Sequence, residues 1–500
     1  MSLRRFRLDQ KALRSNDQRM KTYIFVVAVI LSAVPAFAKI KVEISTSKVH
    51  SLFGFVQAIA GDSHRPPELT RTFNKSKFND DKAKNKIKKF QELDAQFRKS
   101  VEFGKAPPGR NDGVQIGKLI EIQSAFAKTL PEFRERILSH LPVEDIEKMI
   151  STLEFFEPIY DELIWKPNVK ALEKVQADFK IKTEKWKLDE MFDRAKIFYN
   201  AKWPDAQAFH VSLYPIPHDG KVSNATSLGA FESVGIIIGR ADIEGNFGVL
   251  FHEMCHSLYD AQSSVFQQQL ADWFYKNPSP FGVVAYGWLN EALATAIGNG
   301  WAYERAKGGN DKGEWYHQEK VDSFGRALHP KVVEYLNAKK PIDETFVTFA
   351  VKAFAEKFPQ ALLEFESLMA DIVILTDGRV GPGTDVRRSL RAKFLMPSIS
   401  GGSPIDSTTS KSLVKDTQSP VFLIALNESR AQIENLEDVL PGVGNAVKKA
   451  SAKGAQFGMF DLGRRKVMIL LIDSQDGLQH TIDWMGEEKH VERAGEFVAL

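Results

Sequence analysis

Five hundred residues exceed what one core of ordinary size organises, so two or more domains are expected. Hydrophobic residues make up 43% of the chain and charged residues 26%, which excludes a disordered or fibrous protein. The formal charge of +3 originates in the first 38 residues, where seven Lys or Arg face two Asp or Glu; the rest stands at −2, and nothing in that balance calls for nucleic acid.

The N-terminus reads as an export signal. Arg19, Met20 and Lys21 form a short basic region, Tyr23 to Pro35 an apolar stretch, and Ala36-Phe37-Ala38 a small-x-small cleavage site before Lys39. The apolar run is short for a spanning helix, which needs roughly 20 residues. Cleavage after Ala38 would leave no stable membrane anchor, and a bacterial periplasm or the exterior is the expected location. Met20 stands where such a peptide starts, so residues 1–19 read as an over-extended start. A single cysteine, Cys255, excludes an intramolecular disulfide.

Residues 39–203 read as a helical N-terminal region after a short extended piece, Ile40 to Ile44. Apolar residues recur at helical spacing at Ile87, Phe90, Leu93 and Phe97, again at Ile116, Leu119 and Ile120, and at Phe133 and Ile137. Such a region serves either as a lobe of a cleft or as a removable prosegment, and the absence of a clean basic processing site favours the lobe. The lysine-rich run Lys82 to Lys89 is flanked by Asp80, Asp81, Glu92 and Asp94 and reads as a solvated helix face.

After Trp203 the texture changes, and residues 204–378 read as a catalytic core. Ala208 to Tyr214 alternates and then meets Pro215 and Pro217, which suits a strand that stops early or lies at an edge. Ser233 to Gly239 is a second strand. A helix is expected to begin near Asp242 or Ile243, followed by helices at Val265 to Lys276, Val283 to Ala306, Trp315 to Asn337 and Glu344 to Phe358. Phe365 to Leu375 reads as a helix end or a strand. Residues 379–411 are rich in Gly, Pro, Ser and Thr and read as a linker. Residues 412–500 read as a small α/β domain, with strands at Val421 to Leu426, Gln456 to Leu462 and Val467 to Ile472 and helices at Glu428 to Val439 and Leu478 to Met485. Its Pro441-Gly-Val-Gly444 lacks the third glycine and the preceding strand of a dinucleotide loop. The fold class expected is α+β: a mainly helical core with a small sheet before the motif helix, plus this α/β domain.

The chemistry concentrates at His252-Glu253-Met254-Cys255-His256. On a helix the two histidines share one face with Glu253, the pattern that holds zinc and activates its water. Leu250, Phe251, Met254, Cys255 and Leu258 fall on the opposite face, which makes Cys255 a buried thiol. Two imidazoles do not close a zinc site, because a catalytic zinc takes three protein ligands and keeps one position open. Glu291, in the second helix among the small residues Ala292, Ala294, Ala296 and Gly298, can supply the third. Glu304, Asp260 and His317 are the next carboxylates and imidazole in line.

From Ala208 to Ala306 the chain resembles the gluzincin group of zinc metallopeptidases, the thermolysin-like proteases and their relatives. In these an HExxH helix is followed by a second helix carrying a glutamate ligand in an Asn-Glu-x-x-Ala context, here Asn290-Glu291-Ala292-Leu293-Ala294. The metzincin pattern fails at Tyr259 and Gln262. The spacing from His256 to Glu291 is longer than in thermolysin itself and implies an inserted helix, Val265 to Lys276. The resemblance implies a zincin-like fold, one Zn2+ per chain on His252, His256 and Glu291, and a peptide or protein substrate. Glu253 would take a proton from the metal-bound water and deliver it to the leaving amine. For the oxyanion donor, His329 is the first choice by its place after the ligand helix, ahead of His317, Tyr286 and Tyr316. Val234 to Ile238 or Phe209 to Tyr214 would bind substrate backbone by strand addition. A non-catalytic scaffold with a degenerate peptidase fold, or a zinc hydrolase of another amide, are the alternatives.

Overall fold

Apolar residues at helical spacing and a few alternating stretches build a mixed α and β protein, seen here as a computed structural model. The structure describes residues 40–500 except 63, 105, 111, 112, 218, 219, 221–223, 241, 310, 381, 382 and 475; the export-signal reading of residues 1–38 lies outside the described residues. No described helix is long and apolar enough to cross a membrane.

The first strand, β1 (Val42–Thr46), leads into a helical lobe with its own hydrophobic core, built on Phe53, Phe55, Phe73, Phe133 and Phe156. A small ribbon, β2 (Ser100–Glu102) with β3 (Gly113–Gln115), projects from it. The lobe is tied to the rest by a helix, Val143–Tyr160, that passes through a π-turn at Asp161–Trp165 and continues as Lys166–Lys185. Its first part belongs to the lobe's core, whereas Leu172, Val175 and Phe179 belong to a second and larger core.

The sheet beside that larger core has four strands in the order β1, β4 (Phe209–Ile216), β6 (Phe231–Ile237), β5 (Ala225–Leu228). The pairs β1 with β4 and β4 with β6 are parallel; β5 runs antiparallel to β6. This corrects two expectations. Phe209 to Tyr214 offers no free edge, because β1 covers it; β5 covers β6 as far as Val234, and no described strand pairs with the outer side of Ile236 to Ile238. Nor does β4 stop before Pro215. The β1 pairing ends at Leu213, and the Ile216 carbonyl accepts from Ile238 N–H on the β6 side, so the missing N–H of Pro215 faces the side where β1 has already ended.

Lobe and sheet meet along a buried polar seam. Ser124 Oγ donates to the Glu121 carbonyl at 2.6 Å, which leaves it to accept from His50 Nδ1 at 3.1 Å, while Ser233 Oγ on β6 donates to His50 Nε2 at 2.8 Å. Glu121 pairs with buried Arg65 at 2.8 Å. Burial drives the imidazole down to about 4, with the Arg65 and Lys118 charges adding and Glu121 opposing. Between the ordinary histidine value near 6.5 and about 4, the unfolded chain therefore binds a proton that the folded chain refuses, and stability falls as pH falls through that window. We expect His50→Gln to be spared this loss. From pH 7 to pH 4 the stability difference between wild type and variant should shift by about 3 kcal/mol in the variant's favour, measured by urea unfolding at each pH; a constant difference would show that His50 is not buried neutral.

The C-terminal part is a six-stranded sheet in the order β12 (Phe497–Ala499), β10 (Gln456–Leu462), β11 (Arg465–Ile472), β9 (Val421–Leu426), β7 (Asp371–Thr376), β8 (Ser398–Gly402), parallel from β11 to β8. Residues 379–411 are thus no linker. They hold the helix Gly383–Arg391 and strand β8, and the domain begins near Asp371 rather than residue 412. Serine and glycine in β8 conceal its strand character, since the sheet pairing is supplied by backbone alone. The Phe365 to Leu375 stretch is both things expected of it, a short helix Phe365–Met369 and then β7. The helix after β9 is shorter than expected and ends at Glu434. In the Pro441 to Gly444 loop the N–H groups of Gly442 and Gly444 donate to Glu437 Oε1 and Oε2 at 2.6 and 2.9 Å, so a carboxylate of the chain itself fills that turn. The large core continues onto one face of this sheet through Phe422, Phe457 and Met468.

Candidate metal centre

The motif helix, Ile243–Asp260, starts where Asp242 caps it by accepting from Gly245 N–H at 3.2 Å. Its back face is buried as the wheel requires: Leu250, Phe251, Met254, Cys255 and Leu258 are all at most 1% exposed. Cys255 is a free buried thiol, and burial pushes its pKa up, so it is inert rather than a ligand.

The second helix, Gly282–Ala294, continues through a π-turn, Thr295–Ala302, into Tyr303–Lys307. At the π-turn it meets the motif helix backbone to backbone. A Cβ on Gly298 would lie 2.4 Å from His252 N and 2.6 Å from Gly248 O, a spacing only glycine permits. This crossing brings Glu291, two turns earlier, against both histidines.

His252 Nε2 and His256 Nε2 are 3.0 Å apart, and Glu291 Oε2 is 3.6 Å from each. A tetrahedral zinc with ligands at about 2.1 Å has edges of about 3.4 Å, which these three distances bracket. Among the described residues this is the one group of three such ligands within reach of a single ion. Glu304, Asp260 and His317 do not join it. Glu304 faces His329 at 3.4 Å, Asp260 lies exposed beside Arg110 at 3.9 Å, and His317 stacks on Tyr316.

The imidazoles are held from behind. His252 Nδ1 pairs with Asn299 Oδ1 at 3.0 Å and His256 Nδ1 with Asn290 Oδ1 at 3.1 Å. Each Nδ1 therefore keeps its proton, and each Nε2 is the atom left to bind a proton or a metal. Glu291 Oε2 is buried and has no hydrogen-bond partner. The trio demands a positive charge: burial alone would lower His256, yet the Glu291 carboxylate outweighs it and raises the imidazole to about 10. Burial likewise opposes ionisation of Glu291, and the charge on His256 overcomes it and holds the carboxyl well below the usual range. A cation among the three atoms satisfies both the orphaned oxygen and the facing nitrogens.

Glu253 is half-buried on the same helix, and its charge acts on His256, on Tyr316 and on Glu232. Of the four residues considered as oxyanion donors, Tyr316 is the one at the cluster. Its ring stacks on His252 with centroids 5.6 Å apart, and burial, then the charges of Glu291 and Glu253, keep its phenol protonated. His329 is not there. Its helix, Glu319–Ala338, turns it toward Glu304, Trp315 and Gly300, which occupy the far side of the π-turn. Tyr286 donates instead to the Pro108 carbonyl at 3.0 Å, where a loop of the lobe crosses onto the core. In the same loop Arg110 donates to the Tyr259 carbonyl at 2.7 Å and to Gln262 at 2.6 Å, fastening the lobe to the end of the motif helix.

Three features lay beyond the motif. Asn299 and Gly298 depend on the π-turn, for which the small-residue run was the only signal. Glu232 on β6 is fully buried, neither carboxyl oxygen has a hydrogen-bond partner, and burial followed by the charge of Glu253 pushes its pKa well up. Comparison of the chain with protein-family models, with curated proteins and with solved structures gives no match.

Proposed function

We propose that the chain is an exported zinc-dependent peptidase that hydrolyses peptide bonds in unfolded or extended polypeptides. The observation that carries this reading is the buried trio of His252 Nε2, His256 Nε2 and the partnerless Glu291 Oε2, with both Nδ1 atoms anchored by asparagine oxygens. His252, His256 and Glu291 would hold a zinc ion, which would supply acidity to a bound water, with a pKa brought to near 7, and Lewis acidity toward a carbonyl oxygen.

The chain's own residues supply the rest. Glu253 accepts the proton of the attacking water and passes it to the leaving amine. Tyr316, held as a neutral phenol against His252, donates to the oxygen that gains charge. Asn290 and Asn299 orient the imidazoles. The half-buried edge strand β5 packs beside the motif helix and offers unpaired backbone to an extended peptide.

Treatment with a chelator should abolish hydrolysis of an unfolded protein, and one equivalent of zinc should restore it. Glu291→Ala should lower the zinc content of the purified protein. A wild type that takes up no zinc, or one that hydrolyses equally well after metal removal, would overturn the reading.

A further inference from the structure

The helix Gly383–Arg391 packs Val386 and Leu390 onto the C-terminal sheet, 1% and 0% exposed. Arg387, beside Val386, is carried with them to a half-buried position. Its guanidinium lies over β8 where Gly401 has no side chain: a Cβ there would stand 2.6 Å from Nη2 and 3.4 Å from Cζ. The same Cβ would also meet the Ile374 carbonyl at 2.6 Å, so the close pairing of β8 with β7 and the berth for the guanidinium need the same glycine.

Arg391 follows one turn later on the same helical face, and its charge acts on Arg387. Among the described residues neither arginine has a hydrogen-bonded or ion-paired partner. Among the described residues Asp483 pairs with Lys393 at 2.9 Å and Asp377 accepts from Arg379 N–H at 3.0 Å, and neither pairs with these arginines. Burial and then Arg391 lower the affinity of Arg387 for its own proton, the signature of a cation taken from water without compensation. A guanidinium brings five donors in a planar fork that matches a carboxylate.

The berth lies toward the carboxyl ends of parallel strands, the side on which open α/β sheets take ligands. It also lies at a free edge. No described strand pairs with the outer side of β8, all five of its residues are half-buried, and four of them, Ser398, Ser400, Gly401 and Gly402, are small enough to let another backbone approach.

We propose that this edge is a second peptide site, in which an extended segment lies along β8 and its terminal carboxylate is held by Arg387 and Arg391. The site is built from the C-terminal sheet alone and does not depend on the metal centre or on the peptidase reading. Two charges without partners among the described residues, on one helix face, and an uncapped strand beside them are satisfied together by a strand that ends in a carboxylate.

The test is calorimetric titration of the zinc-loaded full chain, carrying Glu253→Gln so that nothing is cleaved, with an unstructured hexapeptide bearing either a free or an amidated C-terminus. The free carboxylate should bind at least tenfold more tightly than the amide. Arg387→Gln with Arg391→Gln should erase that difference while the melting temperature and zinc content stay unchanged. Equal binding of the two peptides, survival of the difference in the double variant, or binding of inorganic phosphate when neither peptide form binds, would each overturn the assignment.

Discussion

Glu253→Gln should leave about one zinc per chain and remove hydrolysis, with a loss in kcat/KM of at least about a hundredfold and up to about ten-thousandfold. Glutamine keeps the size and the helix propensity of the residue. What it removes is the ability to accept a proton from water and to return one to the leaving amine. The zinc content should hold because the three atoms that converge are on His252, His256 and Glu291, each fixed independently of Glu253 by the two asparagines or by the crossing of the helices. The two readouts separate the possibilities. Activity within a few-fold of wild type at full zinc would place the general base elsewhere, and loss of zinc together with activity would mean that Glu253 holds the site together rather than acting on substrate.

Gly298→Ala should damage both the fold and the metal centre. The new Cβ would sit 2.4 Å from His252 N and 2.6 Å from His252 Cα, both backbone atoms of a buried helix that cannot rotate aside. The helices must separate, at a cost of about 3 kcal/mol or more for overpacking at so rigid a contact. Since Glu291 rides on the displaced helix and Asn299 is the next residue, the edges of the ligand triangle lengthen and His252 loses its anchor, and we expect zinc affinity to fall by at least about tenfold. Gly248→Ala is the control. It faces the same crossing, but its Cβ would meet Gly298 O at 3.2 Å, which a small adjustment relieves, and its effect should be much the milder. Thermal unfolding and metal analysis of both variants decide this; a Gly298→Ala protein that melts and binds zinc like wild type would show that the helices do not cross as closely as described.

What the amino-acid order disclosed follows from which interactions are local. The face shared by His252 and His256 is a property of one helix, and the need for a carboxylate on a small-residue helix led to Glu291 before any contact was seen. The limits of β10 and β9 were readable because their alternation or apolar run is bounded by turns. Other features are settled between distant segments. Whether β4 is an edge depends on β1, which pairs with it from 167 residues away, Val42 opposite Phe209. His329 and Tyr316 were both reachable from Glu291 along the chain, and only the turn of the helix Glu319–Ala338 decides that His329 faces Glu304 while Tyr316 covers His252. Strand β8 was hidden because Ser-Ile-Ser-Gly-Gly has neither β-branched weight nor alternation beyond one isoleucine; its pairing with the apolar β7 makes it a strand.

The parallel pairing of β1 with β4 bears on how the chain is made and trimmed. A strand laid down first in synthesis must wait for a partner made more than 160 residues later, so the helical lobe, with its separate core, is free to fold in the interval while the sheet stays incomplete. Any processing that shortens the protein from its beginning must also stop before Val42. Loss of β1 would expose the flank of β4 and turn a covered strand into an adhesive one.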